Sequence, residues 1–231
     1  MDQEEYWRMF DLVMADVEAA IRCNSTYLTI NRLRSEDYGV ALKLNQNPLF
    51  WQTTTYSLQL ALFISLGRVF DKTRGTYTID DVVKNTLEHP GFFSREELRK
   101  RKRAVEKLYG DLPDPDWMAN LLESAWEPSR EEMKFMQEQL SPHSAKFMEI
   151  YKPIRHTLAH RSKSSQEAVE ALFSNATISD LADILGFVEY LVWGILEMKM
   201  NGFPPARWSK TKYDALFKIC AEKTEALIRT L

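Results

Sequence analysis

Arg155, His156 and His160 fall within the six residues "RHTLAH" and account for two of the four histidines in the chain. Histidine titrates near neutral pH, so it can accept a proton and return it. Arginine presents a planar fork of donors that matches a phosphate group. Side by side they are the parts of an acid–base site for phosphate esters. On a helix the two histidines, four apart, share a face. Arg155 and His160, five apart, point about 140° away from each other, an angle that a long arginine side chain can bridge to a phosphate held beside the histidine. Leu158 and Ala159 give the same helix an apolar edge for packing.

Taken as residues alone, the segment supports three readings. The first is a solvated helix end, because "RHTLAHRSKSS" is basic and cations are favourable at a helix C-terminus. The second is a metal site through His156 and His160. Zinc needs three or four ligands, however, and the chain has neither an HExxH pattern nor a Cys or further His nearby. The third is the metal-free acid–base site.

Other segments could support it. Arg68 and Asp71 are i, i+3 neighbours and are expected to pair with each other. The plain structural role is a buried ion pair that ties helices together or caps the next turn. The functional role is Asp71 orienting a motif histidine, or Arg68 binding RNA. The stretch from Arg95 to Lys107 has seven basic and three acidic residues. Arg99, Arg101 and Arg103 are its candidates for contact with RNA phosphates; the competing reading is a solvated helix face. Trp117, Trp126, Trp193 and Trp208 could stack bases, but core packing is expected of each, Trp193 above all.

The elements that must position these residues are helical. Ser or Thr is followed three residues later by an acid at Thr78–Asp81, Ser94–Glu97, Ser129–Glu132, Ser164–Glu167 and Thr177–Asp180, the pattern of a capping box. Each opens a stretch with helical apolar spacing, and no sustained alternation of period two suggests sheet. Asn47-Pro48 adds a cap with proline at the first helical position. The spacing predicts helices from about Glu4 to Arg34, with a loop through Gly39, then from Pro48 to about Asp71, at 78–88 and at 94–109. More are expected at Trp117–Trp126, from Ser129 past His160 with prolines 142 and 153 breaking or kinking the run, at 164–173, at 178–200 and from Trp208 to Leu231. The two most apolar, 48–71 and 178–200, want amphipathic partners in 4–34 and 144–162, so the expected fold is an all-α bundle with additional helices.

Bulk composition fits one domain over 1–231. The chain has 231 residues, 45% hydrophobic, with a net charge of −3. It is no polycation, so an anionic ligand must be drawn by a local patch. Cys23 and Cys220 form no CxxC pair and no disulfide framework, which fits a reduced, cytoplasmic setting. The acidic start "MDQEEYWRMF" is unlike a signal peptide. The apolar runs Leu58–Leu66 and Phe187–Leu196 are shorter than the ~20 residues that span a bilayer, and Glu189 interrupts the second. No membrane contact is expected.

Arg, a polar residue, three more residues and then His resembles the signature of the HEPN superfamily, filled here by Arg155, His156 and His160. "YKPIRHTLAHRSK" and the segment "SLGRVFDK" at Ser65–Lys72, followed by "YTIDDVVK", resemble the AbiU-like abortive-infection branch over roughly residues 47–200. That resemblance implies a HEPN-type helical bundle, with a flanking N-terminal helix and a C-terminal helix from about 208. It also implies a homodimer in which two motif helices face one cleft, and metal-independent RNA cleavage in a phage-defence or toxin system. No cofactor is implied. RNA is the expected partner, and an antitoxin is a further candidate. Arg155 and His160 would supply cation, acid and base, with His156 orienting the site or binding phosphate. Some HEPN toxins carry Tyr two residues after the histidine; Ser162 stands there, so a tyrosine-assisted step is not implied. The rival within the superfamily is a non-catalytic module that binds RNA, nucleotide or a partner protein. Outside it, the rival is a helical scaffold.

Overall fold

In the computed structural model, residues 1–72, 75–108, 113–159, 177–208 and 215–230 are described, with the backbone alone for Arg155, Leu158 and Ala159. Among these residues all regular structure is helical and no strand occurs. Four of the caps read in the sequence are made, whereas Asn47 precedes Pro48 at its helix start without a side-chain cap hydrogen bond. Thr78 and Asp81 form a reciprocal capping box. The hydroxyls of Ser94, Ser129 and Thr177 each accept the N–H of the acid three residues on, which satisfies a donor that the first helical turn leaves without a partner. The cap and helix expected from Ser164 lie outside the described residues.

In chain order the helices are α1 (Gln3–Glu36), α2 (Tyr38–Leu44), α3 (Pro48–Phe70), α4 (Ile79–Glu88), α5 (Arg95–Val105) and α6 (Asp116–Ser124). They continue with α7 (Arg130–Lys146), α8 (Lys152–Ala159), α9 (Ile178–Asn201) and α10 (Ala215–Thr230). α2 occupies the stretch read as a loop through Gly39. Asp37 explains it: its carboxylate accepts the Val40 N–H and opens a new helix immediately after α1 ends. Gly202 closes α9 in the left-handed conformation. A Cβ there would come within 2.8 Å of Ala125 and 2.9 Å of Leu98, so glycine is required on both counts.

α1 is the central helix, packed along α3 and α10 and against α9, α2 and α4. Its buried stripe of Tyr6, Met9, Phe10, Val13, Val17 and Ala20 meets Leu66, Val69 and Phe70 of α3 in the main core. Burying one such large apolar side chain stabilises the fold by about 1.5–3 kcal/mol. A smaller cluster joins Ile30, Leu33, Val40 and Leu44 to Ile228 of α10. α10 is held further by Ser25 Oγ, which donates to the Phe217 carbonyl at 2.7 Å, and by the ion pairs Arg32–Glu225 at 2.6 Å and Arg229–Asp37 at 2.9 Å.

Trp193 departs from expectation. It is 37% exposed. α9 is buried all round from Phe187 to Val192, but beyond Val192 only Ile195 and Met198 stay buried, so Trp193 emerges where the cover ends. Trp117 is also exposed, whereas Trp126 and Trp208 are partly buried against the main core. Among the described residues no helix is long and apolar enough to cross a membrane.

Candidate functional site

α8 carries the start of the RHTLAH segment, and the helix before it determines how it is presented. Pro142 is accommodated inside α7. Ahead of Pro153 the chain widens into a π-helical turn at Phe147–Tyr151, where the Lys152 N–H donates to the Phe147 carbonyl five residues back. Proline cannot donate to the carbonyl four residues earlier, and the widened turn absorbs that fault. Such turns add one residue to the helix and re-aim the residues beyond them, often at functional sites. Here the re-aiming keeps Phe147, Tyr151 and Ile154 in the core and leaves His156 exposed to solvent.

Two aromatic stacks fix the π turn, and with it the start of α8, on α3. Phe147 lies on Phe70 with centroids 4.9 Å apart, and Tyr151 lies near Phe63 at 6.3 Å. Because the chain advances from 147 to 151 as its α3 neighbours recede from 70 to 63, the two helices run antiparallel. α8 therefore extends toward the first half of α3. The Tyr151 hydroxyl donates to the Thr177 carbonyl at 3.1 Å. Burial, and after it the Asp180 charge, raises its pKa above the usual phenol range, so it stays protonated as an anchor.

The candidate residues occupy several different places. Arg155 and His156 are on α8, and Arg155 is described by its backbone alone. His160, together with Ser162, lies outside the described residues. Arg68 pairs with Asp16 of α1 at 3.4 Å rather than with Asp71, and it is well exposed. Asp71 is the C-cap of α3 and pairs with Lys152 at the start of α8, 3.5 Å away. The expected i, i+3 pair fails because α3 ends at Phe70: Asp71 has left helical geometry and turns toward α8, while Arg68 reaches across to α1. Asp71 thereby joins the SLGRVFDK segment to the first residue of the motif helix.

The basic stretch on α5 is largely committed within the fold. Arg99 and Arg103 both bind Asp114, each at 2.6 Å, and these guanidiniums, Arg103 first, hold its carboxyl below the usual range. Arg101 donates to the carbonyls of Lys199 and Phe92, and its Nη2 is buried with no hydrogen-bond partner among the described residues. Burial lowers its pKa. Lys100 bonds Glu96 and Glu97 on the same helix.

Sequence reasoning passed over His143. Its ring lies flat on Phe187, with centroids 3.8 Å apart, and Trp208 extends the stack. Nδ1 is 2.8 Å from the Gln139 carbonyl and Nε2 is 3.8 Å from Asp183. Its signal in the sequence was its register: it continues the buried row Met133, Met136 and Leu140 of the amphipathic α7. Among the described residues no group of three or more His, Cys, Asp or Glu is placed to hold a metal.

The geometry thus defines a helical bundle whose motif helix packs on α3 and exposes His156, the class to which HEPN proteins belong. The chain belongs to the HEPN family of AbiU2, whose pattern it matches over residues 3–193. The match takes in α1, beyond the 47–200 read from motifs. Neither the curated proteins nor the solved structures give a match.

Proposed function

We propose that this protein is a metal-independent endoribonuclease of a bacterial phage-defence or toxin system, active as a homodimer. The observation that supports the reading is α8 itself: in a HEPN chain, the helix that carries the start of RHTLAH packs on α3 and exposes His156. In the reaction the RNA 2′-oxygen attacks the adjacent phosphorus and the bond to the 5′-oxygen breaks. His160 of one copy takes the 2′-hydroxyl proton, and His160 of the other protonates the departing 5′-oxygen. Arg155 stabilises the charge that builds on the phosphate. His156 binds or orients the phosphate. One histidine cannot easily make both transfers at once, hence the need for two copies.

The supporting surface is on α3. From Pro48 to Gly67 the helix has no charged residue, yet Leu49, Phe50 and Tyr56 are exposed. An uncharged, apolar helical face of this kind marks an interaction site. It borders α8, so a second copy docked there brings two motif helices together. His160→Ala and Arg155→Ala should each cost ~10²-fold or more in cleavage rate, with the helical circular dichroism spectrum unchanged. Full activity in either variant removes the assignment.

One alternative is a non-catalytic HEPN module that binds RNA, nucleotide or a partner protein; the engagement of Arg99, Arg101 and Arg103 within the fold, which takes donors away from RNA, favours its nucleotide- or partner-binding form. It predicts binding without cleavage by the purified wild type.

A further inference from the structure

Away from α8, a cavity of about 240 Å³ lies where α1, α9 and α10 meet. Ile21 of α1, Leu185 of α9 and Phe217 of α10 give it apolar walls, and the exposed Ala182 of α9 stands at its rim. Two polar side chains also line it, Glu189 and Asn24. Glu189 is engaged by the fold: its Oε1 accepts the Leu216 N–H at 3.3 Å, and a further interaction holds it. Asn24 differs. It is 2% exposed, yet its carboxamide has no hydrogen-bond partner among the described residues.

A buried amide without partners forgoes the hydrogen bonds it makes in water, which costs stability. Asparagine is also a poor helix former, and Asn24 stands in the middle of α1, where the neighbouring core positions hold Ala20 and Ile21. Its amide is not sealed in the packing: the little area it keeps opens on the cavity. A carboxamide presents an acceptor oxygen beside N–H donors. A ligand with an amide of its own meets that edge with two reciprocal bonds, its N–H to Asn24 Oδ1 and Asn24 Nδ2–H to its carbonyl. An apolar cavity of about 150 Å³ is enough to hold benzene, so this larger one has room for an aromatic ring with a carboxamide attached.

We propose that this cavity is a binding site for a small neutral amide, a flat apolar ring bearing a carboxamide or lactam edge. The edge pairs with Asn24, and the ring fills the space between Ile21, Leu185 and Phe217. A ketone of the same shape lacks the N–H and leaves Asn24 Oδ1 without a partner. A carboxylate lacks it too, and must also give up its hydration to enter apolar walls. Because the walls come from three helices, occupancy fastens α10 to the bundle and raises the melting temperature. The site is independent of the RNA chemistry proposed for α8.

The probe is benzamide, titrated into the full chain and followed by ligand-detected NMR and by thermal melting, with acetophenone and benzoate as its ketone and carboxylate counterparts. The expected result is saturable binding of one benzamide per chain with a rise in melting temperature. The other two should bind about fivefold more weakly or worse, the cost of leaving a buried polar group unpaired. Asn24→Leu should weaken benzamide by a similar factor and erase its preference over acetophenone. Ala182→Leu should weaken all three, because the longer side chain reaches into the cavity. Ala182 is exposed, so its variant keeps the fold and decides the matter even if Asn24→Leu does not fold. The proposal is overturned by the absence of saturable benzamide binding, by equal binding of acetophenone to the wild type, or by undiminished benzamide binding to either variant.

Discussion

At the scale of single residues, the motif was legible because Arg and His carry distinctive chemistry at a fixed spacing. Their partners were not. Whether Arg68 pairs with Asp71 or Asp16 depends on where α3 stops and on how α1 lies beside it, which the local pattern does not encode. The same holds for α5: a run of seven bases reads as an RNA patch until Asp114, 11 residues beyond Arg103, is seen to engage two of them. The residues divide into different experiments. Arg101→Ala removes two hydrogen bonds from a partly buried guanidinium to backbone carbonyls and should cost about 1.5–3 kcal/mol of stability, read by urea denaturation. A loss below about 0.5 kcal/mol, the range of an ordinary surface substitution, would mean the anchor is dispensable. His156→Ala, at an exposed position, should change stability by no more than about 0.5 kcal/mol while weakening RNA binding. A large drop in stability there would place His156 in the packing instead.

At the scale of elements, the capping residues located most helices, since a cap is a local bond between residues three apart. The π turn escaped notice. Pro153 signals a fault in the helix, but a kink, a break and a widened turn all relieve it, and the choice is made by packing. Phe147 and Tyr151 must both reach α3, and the extra residue of the π turn lets them. Phe147→Ala should therefore cost about 3–5 kcal/mol and release α8 from α3, seen as a lower urea midpoint and faster amide exchange in α8. A loss of less than about 1 kcal/mol, well under the cost of emptying a core site, would show that α8 is held by other contacts. α9 teaches the opposite lesson. Its apolarity identified a core helix correctly but could not say where the cover ends, so Trp193 was misplaced.

For the whole molecule, the bundle follows from apolar stripes that need cover, and its closing clamp is electrostatic. Asp37 is held below the usual carboxylate range first by the Val40 N–H and then by Arg229. Glu225 is held there by Arg229 and Arg32. A carboxyl with a lowered folded pKa adds stability above its unfolded value of about 4 and loses it as pH falls through the folded value. Stability should accordingly drop below about pH 4, and less steeply in Arg229→Gln, as urea melts at neutral and at strongly acid pH would show. An equal drop in both would clear the clamp of that role. Tyr6, raised by burial, works on the alkaline side: its contribution is present below about pH 10 and is lost above it. The assembly prediction belongs here too. In the proposed homodimer, Tyr56→Lys puts charge on the exposed half of α3 and should shift the population toward monomer in sedimentation. A variant that remains fully dimeric would exclude that face from the interface.

The claim that RNA is cut by its own 2′-hydroxyl, without metal, is tested most directly by the ends of the products. Purified protein incubated with RNA in EDTA should yield fragments with a 2′,3′-cyclic phosphate on one side and a 5′-hydroxyl on the other, and His160→Ala should yield none. Fragments with 3′-hydroxyl and 5′-phosphate ends, cleavage that vanishes with EDTA, or no cleavage by the wild type would contradict it.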